Sequence, residues 1–580
     1  MKQKITNLIA VAFMLLFALP VMAYDAEIDG IFYNFSGNHA IVTYEVRGNT
    51  PYAGDIVIPD MVTYNNREYT VTEIGNYAFL SCADVTSVEI PESVHEIGEY
   101  AFKDCSNLTA VNIPEGVQIL NKWSFANCSS LEAIDIPESV TEIGVCVFYQ
   151  CSSLASISIP SNVVKIGASS FEDTPWFNEQ PDGLVYIGNV AYKYKGQIPY
   201  GTEISIREGT VCISGECFWE WQCTGLTAIT IPNTVTSIGF GAFYNCGRLT
   251  SVTLPNSLVE IESSAFAHCS SLTSMVIPSS VKSMECPIFD LCTSLESIVV
   301  ESGNTVYDSR DNCNAIIRTS DNVLIEGCKG TTFPEGIKAI GRSALSNTRL
   351  ASVVLPNSLK SIYDYAFQDC DSLTSIVIPD SVTSIGAYAF RMCYNLTTVS
   401  LGSSVRSVGT EAFADMRKLT DMYCYATQVP YASTTAFKNS NVDENATLHV
   451  PYELLEAYRT TAPWSSFKEI VPIIIGKCEA PTITLLPYGR VKVESATEGA
   501  TCVTNITATN AEPITDGVIS LTEALVVYTV TAYATAEAYE DSDVTTYTFT
   551  LERTDNDVNG DGYVNVADVT RLISIILGTE

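Results

Sequence analysis

The sequence has few histidines and few basic residues. It contains 4 histidines (His39, His95, His268 and His449), and 31 lysines and arginines stand against 66 acidic residues, giving a formal net charge of −35. Histidines this far apart in sequence argue against a zinc enzyme or a histidine-based acid–base catalyst. Binding to nucleic acid or to anionic lipid needs a basic face, so we expect neither as a partner.

Catalytic motifs and long apolar runs are also missing. No HExxH, GxSxG, phosphate-binding loop or Rossmann fingerprint occurs. After the first 23 residues, no apolar run reaches the length of about 20 residues that a membrane-spanning helix needs. We therefore expect a protein that is not an enzyme and has no membrane span. A hydrolase with a cryptic pair among the 66 acidic residues is the alternative.

Residues 1–23 have the pattern of a signal peptide. Lys2 and Lys4 precede an apolar core from Leu8 to Leu19, and Val21-Met22-Ala23 matches a small-x-Ala cleavage site. A membrane anchor is the weaker interpretation because the core is too short to span a bilayer. The sequence thus predicts an exported protein that is secreted or displayed on a cell surface.

Nine of the 19 cysteines follow a repeat rather than a pairing scheme. There is no CxxC motif, and the odd total leaves at least one thiol free. We expect the cysteines in the repeat to be reduced and to pack as small hydrophobic residues. Within each block they are 23 residues apart: Cys82, Cys105, Cys128 and Cys151; Cys246, Cys269 and Cys292; Cys370 and Cys393.

A 23-residue repeat occupies most of the chain. One unit runs from Leu373 to Cys393, and its Ile376 and Ile378 alternate with outward residues as in a short β-strand. Proline then ends the strand, and Gly386 is expected to allow a tight corner. A phenylalanine, preceded in most cases by alanine, recurs with the same period, at Phe79, Phe102, Phe125, Phe148 and Phe171, at Phe243, Phe266 and Phe289, and at Phe367, Phe390 and Phe413.

This unit closely resembles the BspA-type leucine-rich repeat of exported bacterial proteins. The resemblance implies a mainly β solenoid of about a dozen coils of 23 residues, in which stacked coils together bury a core that none can bury alone. It also implies a noncatalytic, adhesin-like protein. We assign 24–75 to an N-terminal β cap and 76–470 to the array with its C-terminal cap. Two aromatic- or Asp/Asn-rich blocks, 172–205 and 302–332, interrupt the period and are predicted to be inserted hairpins.

The period ends before residue 471. Residues 471–553 show alternating strands with abundant threonine, which favours an immunoglobulin-like β-sandwich. Cys478 and Cys502 are near enough in sequence to bridge, although nothing demands it. The sandwich is interpreted as a spacer.

Residues 554–580 contain an EF-hand-type calcium loop followed by an apolar helical stripe. Oxygen ligands fall at loop positions 1, 3, 5, 9 and 12, position 7 offers a backbone carbonyl, and Gly562 supplies the sharp turn. The predicted Ca²⁺ ligands are Asp557, Asn559, Asp561, Tyr563, Asn565 and Asp568.

Aspartate at position 12 makes this run similar to a dockerin repeat. The resemblance covers about 24 residues, and a full dockerin has two such repeats. It implies a cohesin-like module as a partner. The alternative function is therefore that of a noncatalytic, dockerin-bearing component of a polysaccharide-degrading assembly.

The outward residue of each strand defines the predicted ligand-binding face. It is polar or acidic in the N-terminal coils and apolar in the middle of the array. Stacked valines facing solvent predict a contiguous apolar strip that contacts an extracellular protein or glycan; the alternative is that valine only favours the strand. The residues assigned to this face are Val276, Val299, Val354, Val377 and Tyr423.

Overall fold

The computed structural model describes residues 24–48, 52–474, 476–485, 491–497, 500–509, 526–536 and 538–551. The predicted signal peptide, 1–23, and the predicted calcium-binding module, 554–580, lie outside these residues. The chain divides into two compact units. The first contains the described residues up to 397 together with 407–418 and 431–440. The second contains 398–406, 419–430 and the described residues from 441 on.

Each repeat contributes one coil with two short strands, here called the front strand and the back strand. The predicted class, a mainly β solenoid of stacked coils, is confirmed. Helix is scarce in the described residues. The α-helices are Pro175–Asn178, Val442–Asn445 and Leu455–Thr460, and the 3₁₀-helices are Glu220–Gly225, Arg310–Asn312, Tyr452–Leu454 and Trp464–Ser466.

The back strands pair in parallel from coil to coil, and most of them carry one buried aliphatic residue. Ile143, for example, lies opposite Ile166 of the next coil. Parallel pairing in register follows from the fixed period, because a slip of one residue would turn the buried side chain outward. The back strands are Glu96–Ile97, Ile119–Leu120, Glu142–Ile143, Lys165–Ile166, Cys212–Ile213, Ser237–Ile238, Glu260–Ile261, Ser283–Met284, Ala339–Ile340, Ser361–Ile362, Ser384–Ile385, Ser407–Val408 and Tyr431–Ala432.

The front strands also alternate, with two inward residues around one outward residue. Their inward residues are buried, as in Met275 and Ile277 of one coil. In the first unit the front strands are Gly54–Val57, Val85–Glu89, Ala110–Val111, Ala133–Asp135, Ser156–Ser158, Thr202–Ser205, Leu226–Thr230, Ser274–Ile277, Ser297–Val300 and Ser375–Ile378. In the second unit they are Thr398–Leu401, Asp421–Cys424, Thr447–Val450 and Glu469–Pro472.

The N-terminal segment forms a β structure that continues the back sheet. Its strands are Ala26–Ile28, Ile31–Ser36, His39–Val42, Met61–Tyr64 and Arg67–Ile74. Three of them form an antiparallel meander, and His39–Val42 then pairs in parallel with Arg67–Ile74. Tyr33 and Phe32 are buried against the first coils. The apolar end of the stack is therefore covered, as a solenoid requires.

The repeated phenylalanines form a ladder of stacked rings inside the first unit. The rings of Phe102 and Phe125 lie 5.2 Å apart at 8°, and those of Phe390 and Phe413 lie 5.4 Å apart at 3°. All of these side chains are fully buried. Phe218 and Phe437 extend the ladder at positions where the sequence period is irregular.

The repeated cysteines also donate hydrogen bonds. The prediction that they are buried and reduced agrees with the structure for Cys105 and Cys128, but treating them only as small hydrophobic residues is incomplete. Cys128 Sγ donates to the carbonyl oxygen of Phe102 at 3.2 Å. The same bond recurs 26 residues back from Cys105, Cys151, Cys269, Cys292 and Cys393. Burial also raises thiol pKa values, that of Cys151 to about 12.

The proposed role of Gly386 in a tight corner is corrected by the structure. Gly386 is not left-handed; a Cβ there would lie 2.5 Å from the backbone nitrogen of Asp364 in the preceding coil. Glycine is needed because two backbones approach closely. The left-handed positions flanking the phenylalanine of this coil are non-glycine, namely Tyr388 (φ 59°) and Met392 (φ 62°) on either side of Phe390. Their N–H groups donate to carbonyls of the next coil, which offsets the strain.

Each predicted insertion contains a hairpin, as expected, and each hairpin is built into the back sheet. Gly183–Ile187 pairs with Val190–Lys195, which pairs in parallel with the back strand at 212–213. The short strand Tyr307–Asp308 pairs with Ala315–Arg318, which pairs with Val323–Gly327. That last strand pairs in parallel with the back strand at 339–340. Each insertion is therefore hydrogen-bonded into the stack through a back strand.

Side chains of the insertions replace backbone acceptors that an uninterrupted coil would supply. The N–H of Phe171 donates to the hydroxyl of Tyr192 at 2.9 Å. The N–H groups of Ile288 and Phe289 each donate to the carboxylate of Glu326 at 3.1 Å. An unbonded buried N–H costs about 1–3 kcal/mol, so these side chains stabilise the two interruptions.

In the second unit, helix 455–460 covers the end of the front strands. Tyr458 and Trp464 are fully buried with their rings perpendicular. Trp464 Nε1–H donates to the carbonyl of Pro430 at 2.9 Å, and the hydroxyl of Tyr458 lies 3.1 Å from Cys424 Sγ. This arrangement is what a C-terminal cap requires.

The residues after 474 form short sheets. Gly476–Lys477 pairs with Tyr539–Glu540, Thr482–Leu485 pairs with Val491–Glu494, and Thr501–Thr509, Val526–Thr535 and Thr545–Leu551 form an antiparallel sheet. The immunoglobulin-like sandwich remains a prediction. Cys478 and Cys502 are both free thiols, so the disulfide that the sequence allowed but did not require is not formed.

Candidate binding surface

The described residues contain no metal centre. Within them, no three His, Cys, Asp or Glu side chains come together as ligands of a metal ion. The six predicted Ca²⁺ ligands, at positions 557–568, lie outside this part of the chain. The helices that the structure describes include none that is long and apolar enough to cross a membrane.

The predicted valines of the front face point to solvent. Their exposed fractions are 48% for Val276, 42% for Val299, 84% for Val354 and 65% for Val377. For Val276, Val299 and Val377 the alternation of the strand explains this, because the residues on either side point into the coil and are buried. Val354 lies outside the strands, and its neighbour Val353 is only half-buried. Tyr423 is only half-buried and has a different environment, described below.

The valines form two pairs rather than one strip, which corrects the expected contiguity. Val276 pairs directly with Val299, and Val354 precedes Val377 by one period in the next pair of coils. The second insertion lies between the pairs. Ser297 Oγ donates to Asn314 Oδ1 at 3.0 Å, and Lys329 N–H donates to the Leu295 carbonyl at 3.1 Å, so the insertion flanks the coil of Val299.

An open groove of about 650 Å³ adjoins the first valine pair. It forms because the front sheet is split: in the described chain, residues 251–254 pair with a neighbouring strand only through the single bridge between Ile229 and Val252. Its lining combines apolar side chains with threonine and asparagine side chains and Glu301. The lining residues include Ile229, Thr230, Asn233, Val252, Thr253, Leu254, Asn256, Val276 and Glu301.

A second, outer ladder of aromatic rings was not predicted from the sequence. The rings of Tyr77 and Tyr100 lie 5.1 Å apart at 17°, and that of Trp123 follows at 6.1 Å and 3°. Arg47 lies over Tyr77 at 3.6 Å. The signal was present, since each of these aromatic residues is two positions before a ladder phenylalanine. Their faces cover one another, so mainly ring edges remain for a ligand.

In the second unit the outward residues are aromatic and polar. Tyr423 stacks on His449 with ring centroids 4.2 Å apart at 10°. His449 Nε2 lies 3.0 Å from Asp421 Oδ1. The sequence pattern predicted Tyr423 as an outward residue but did not predict its contact with His449. The reason is that the front strand at 447–450 follows a break in the 23-residue period.

Comparison with known families identifies the repeat. The sequence model of the BspA-type leucine-rich repeat region matches in 6 copies, over residues 72–199, 212–316 and 326–443. These ranges make up more than half of the chain. No curated protein matches it.

Several solved structures overlap much of the chain at low similarity. A leucine-rich repeat protein of Bacteroides ovatus is 24% identical, with 71% of this chain and 99% of that chain covered and a TM-score of 0.25. A leucine-rich cell surface protein of Faecalibacterium prausnitzii is 22% identical, with 78% and 95% covered and a TM-score of 0.31. The pneumococcal vaccine antigen PcpA is 18% identical, with 77% and 98% covered and a TM-score of 0.30. Because these TM-scores are low, the assignment depends on the match to the repeat family.

Proposed function

Because the chain belongs to the BspA-type leucine-rich repeat family, we propose that it is a noncatalytic extracellular binding protein that uses its front face to hold a protein or a glycan. One observation carries the proposal: Val276 and Val299 are paired on the front face and exposed to solvent, beside a groove with a partly apolar lining. Exposed apolar area at stacked positions is typical of contact sites. The pattern of residues 1–23 supports export to the medium or the cell surface.

The first valine pair gives the sharpest test of this face. Replacing Val276 and Val299 together by lysine leaves the core intact, because neither side chain points inward. A matched control is the lysine double variant of Val164 and Val259, whose exposed fractions are 49% and 43% and which lie off the front strands. The wild-type chain is first screened on an array of extracellular matrix proteins and glycans.

The front-face variant is expected to lose retention on the target, because burying two unpaired lysines costs several kcal/mol. The control variant should bind like the wild type. If the front-face variant still binds, the proposed surface is wrong and the insertions at 172–205 and 302–332 become the better candidates. Equal losses in both variants would show an effect of added charge rather than of the face.

We also propose that the C-terminal module binds one Ca²⁺ through the ligands at 557–568, on the strength of their spacing and chemistry. Calorimetry on the full chain should show one site that Asp557→Ala weakens and that the front-strand variant Asp135→Asn leaves unchanged. Absence of calcium uptake by the wild type would refute this.

Recruitment to a cohesin-like scaffold would follow from the dockerin-like pattern of the same segment. A pull-down with cohesin modules, with and without a calcium chelator, tests it. Calcium-dependent capture supports the alternative function, a noncatalytic component of a polysaccharide-degrading assembly. Calcium uptake without capture restricts the module to metal binding.

A further inference from the structure

A second kind of surface lies on the front face of the second unit. Asp421 and Tyr423 are the outward residues of strand Asp421–Cys424, and Tyr425 follows on the same side. The rings of Tyr423 and Tyr425 are nearly parallel, at 13° with centroids 6.4 Å apart. His449 covers one face of Tyr423 at 4.2 Å. The two tyrosines thus form one wall that is backed by an imidazole.

The neighbouring coil leaves the other side of this wall open. Ser400 pairs in parallel with Tyr423, and the Tyr425 N–H donates to the Leu401 carbonyl at 2.9 Å, which sets Gly402 beside Tyr425. Neither serine nor glycine has a side chain large enough to cover an aromatic ring. In accord with this, 45% of Tyr425 is exposed. The result is a notch with an aromatic wall and a floor of small residues.

A carboxylate is fixed at one end of the notch. Asp421 Oδ1 lies 3.0 Å from His449 Nε2, and 39% of the aspartate side chain is exposed. In the part of the chain that the structure describes, Oδ2 of Asp421 makes no hydrogen bond within the protein. The imidazole therefore orients the carboxylate and leaves one oxygen for a donor from outside.

The same protein shows what chemistry fits an open tyrosine face. Arginine guanidinium groups lie over tyrosine rings at several places, with distances to the ring centroid from 3.6 to 5.6 Å. Among the described residues no cation lies over Tyr423 or Tyr425. The internal pairs are Arg47–Tyr77, Arg67–Tyr69, Arg207–Tyr186, Arg248–Tyr200, Arg342–Tyr365, Arg391–Tyr388 and Arg417–Tyr394.

We propose that Asp421, Tyr423 and Tyr425 bind an arginine side chain in a basic segment of a partner protein. The planar guanidinium stacks on an aromatic face and donates to a carboxylate at its edge, which a notch of this composition offers together. The net charge of −35 favours approach of a cationic segment over an anionic one. The inference rests on the proposed function and names the partner's chemistry.

The experiment uses the full chain and the peptide acetyl-Gly-Arg-Gly-Arg-Gly-amide, with binding measured by calorimetry at physiological salt. The same peptide with citrulline keeps the planar shape and loses the charge, and it should bind at least about tenfold more weakly. Tyr423→Ala should weaken arginine-peptide binding roughly fivefold, while Tyr423→Phe retains it because the ring face is kept. Asp421→Asn should also weaken binding.

Two further variants separate the site from general effects. Asp135→Asn removes an exposed front-strand carboxylate elsewhere and should leave binding unchanged. Ser400→Phe fills the notch without removing any proposed contact, and it should abolish peptide binding while thermal unfolding stays like the wild type.

Three results would overturn the proposal. The first is no binding of the arginine peptide. The second is equal loss from Asp421→Asn and Asp135→Asn with no effect of Tyr423→Ala, which would indicate charge attraction alone. The third is binding of a neutral hexasaccharide that Tyr423→Ala abolishes while arginine-peptide binding persists, which would assign the notch to sugars. None of these results depends on the lysine variant of Val276 and Val299. The proposed function is therefore tested separately from this inference.

Discussion

Glu326 offers a test of how the second insertion is held in the stack. Its side chain is almost fully buried in strand 323–327, and its two oxygens accept from the N–H groups of Ile288 and Phe289. Desolvation raises the pKa of this carboxyl to about 7; the two N–H donors and the Cys286 thiol oppose the rise, and the charge of Asp290 adds to it. The perturbation is Glu326→Gln, which keeps the shape and removes the titration.

The magnitude follows from the raised pKa. A carboxyl that binds its proton more tightly in the folded state than in the unfolded state makes the fold less stable as pH rises between the two pKa values. A shift from 4.5 to about 7 corresponds to about 3 kcal/mol between a pH below 4.5 and a pH above 7. As the pH rises over this interval, the free energy of unfolding of the wild type, taken relative to that of Glu326→Gln, should therefore fall by the same amount.

Amide hydrogen exchange of the peptide covering residues 285–292, corrected for intrinsic rates at each pH, measures the local opening free energy. The wild type should become less protected as pH rises through 7, and Glu326→Gln should stay flat. Glu335→Gln, at an exposed position nearby, is the control and should behave like the wild type. Equal pH dependence in the wild type and Glu326→Gln would refute the argument that this carboxyl replaces the missing coil.

Two other substitutions test the hydrogen bonds of the stack. Cys128→Ser should retain the hydrogen bond to the Phe102 carbonyl. Cys128→Val should lose this bond and lower the free energy of unfolding, measured in urea, by about 1 kcal/mol more than Cys128→Ser does. Equal stability of the two variants would show that packing alone matters there. Tyr192→Phe should leave the Phe171 N–H unbonded and cost about 1–3 kcal/mol. A Tyr192→Phe chain as stable as the wild type would mean that another acceptor replaces the hydroxyl.

The solenoid was predictable because the residues that repeat with a fixed period are the ones that must point inward. Ile376, Ile378 and Phe390 each recur at fixed spacing, and only one face of a short strand can be buried. The hydrogen bonds were not predictable. A cysteine that packs and a cysteine that donates to a carbonyl look the same in a sequence, and so do a glycine with positive φ and one, such as Gly386, that makes room for a backbone.

The candidate surfaces were only partly predictable. The period gave the outward positions, so the exposure of Val276 and Val377 followed from the strand pattern. It could not show that the insertion separates them, because a loop's path depends on contacts distant in sequence, such as Ser297 with Asn314. The partners of Tyr423 were missed for the same reason, since His449 reaches it from a coil outside the period.

Stacking requires apolar residues at the inward positions and places no such requirement on the outward row. The inward residues remain aliphatic along the array, while the outward row changes from Glu89 and Asp135 to Thr230 and Thr253 and then to valine. Adjacent outward residues are only about 4.8 Å apart, so two or three coils of like chemistry already make a contact patch. The proposed partner would therefore contact a local run of coils rather than the whole array, and patches of different composition would bind chemically different segments.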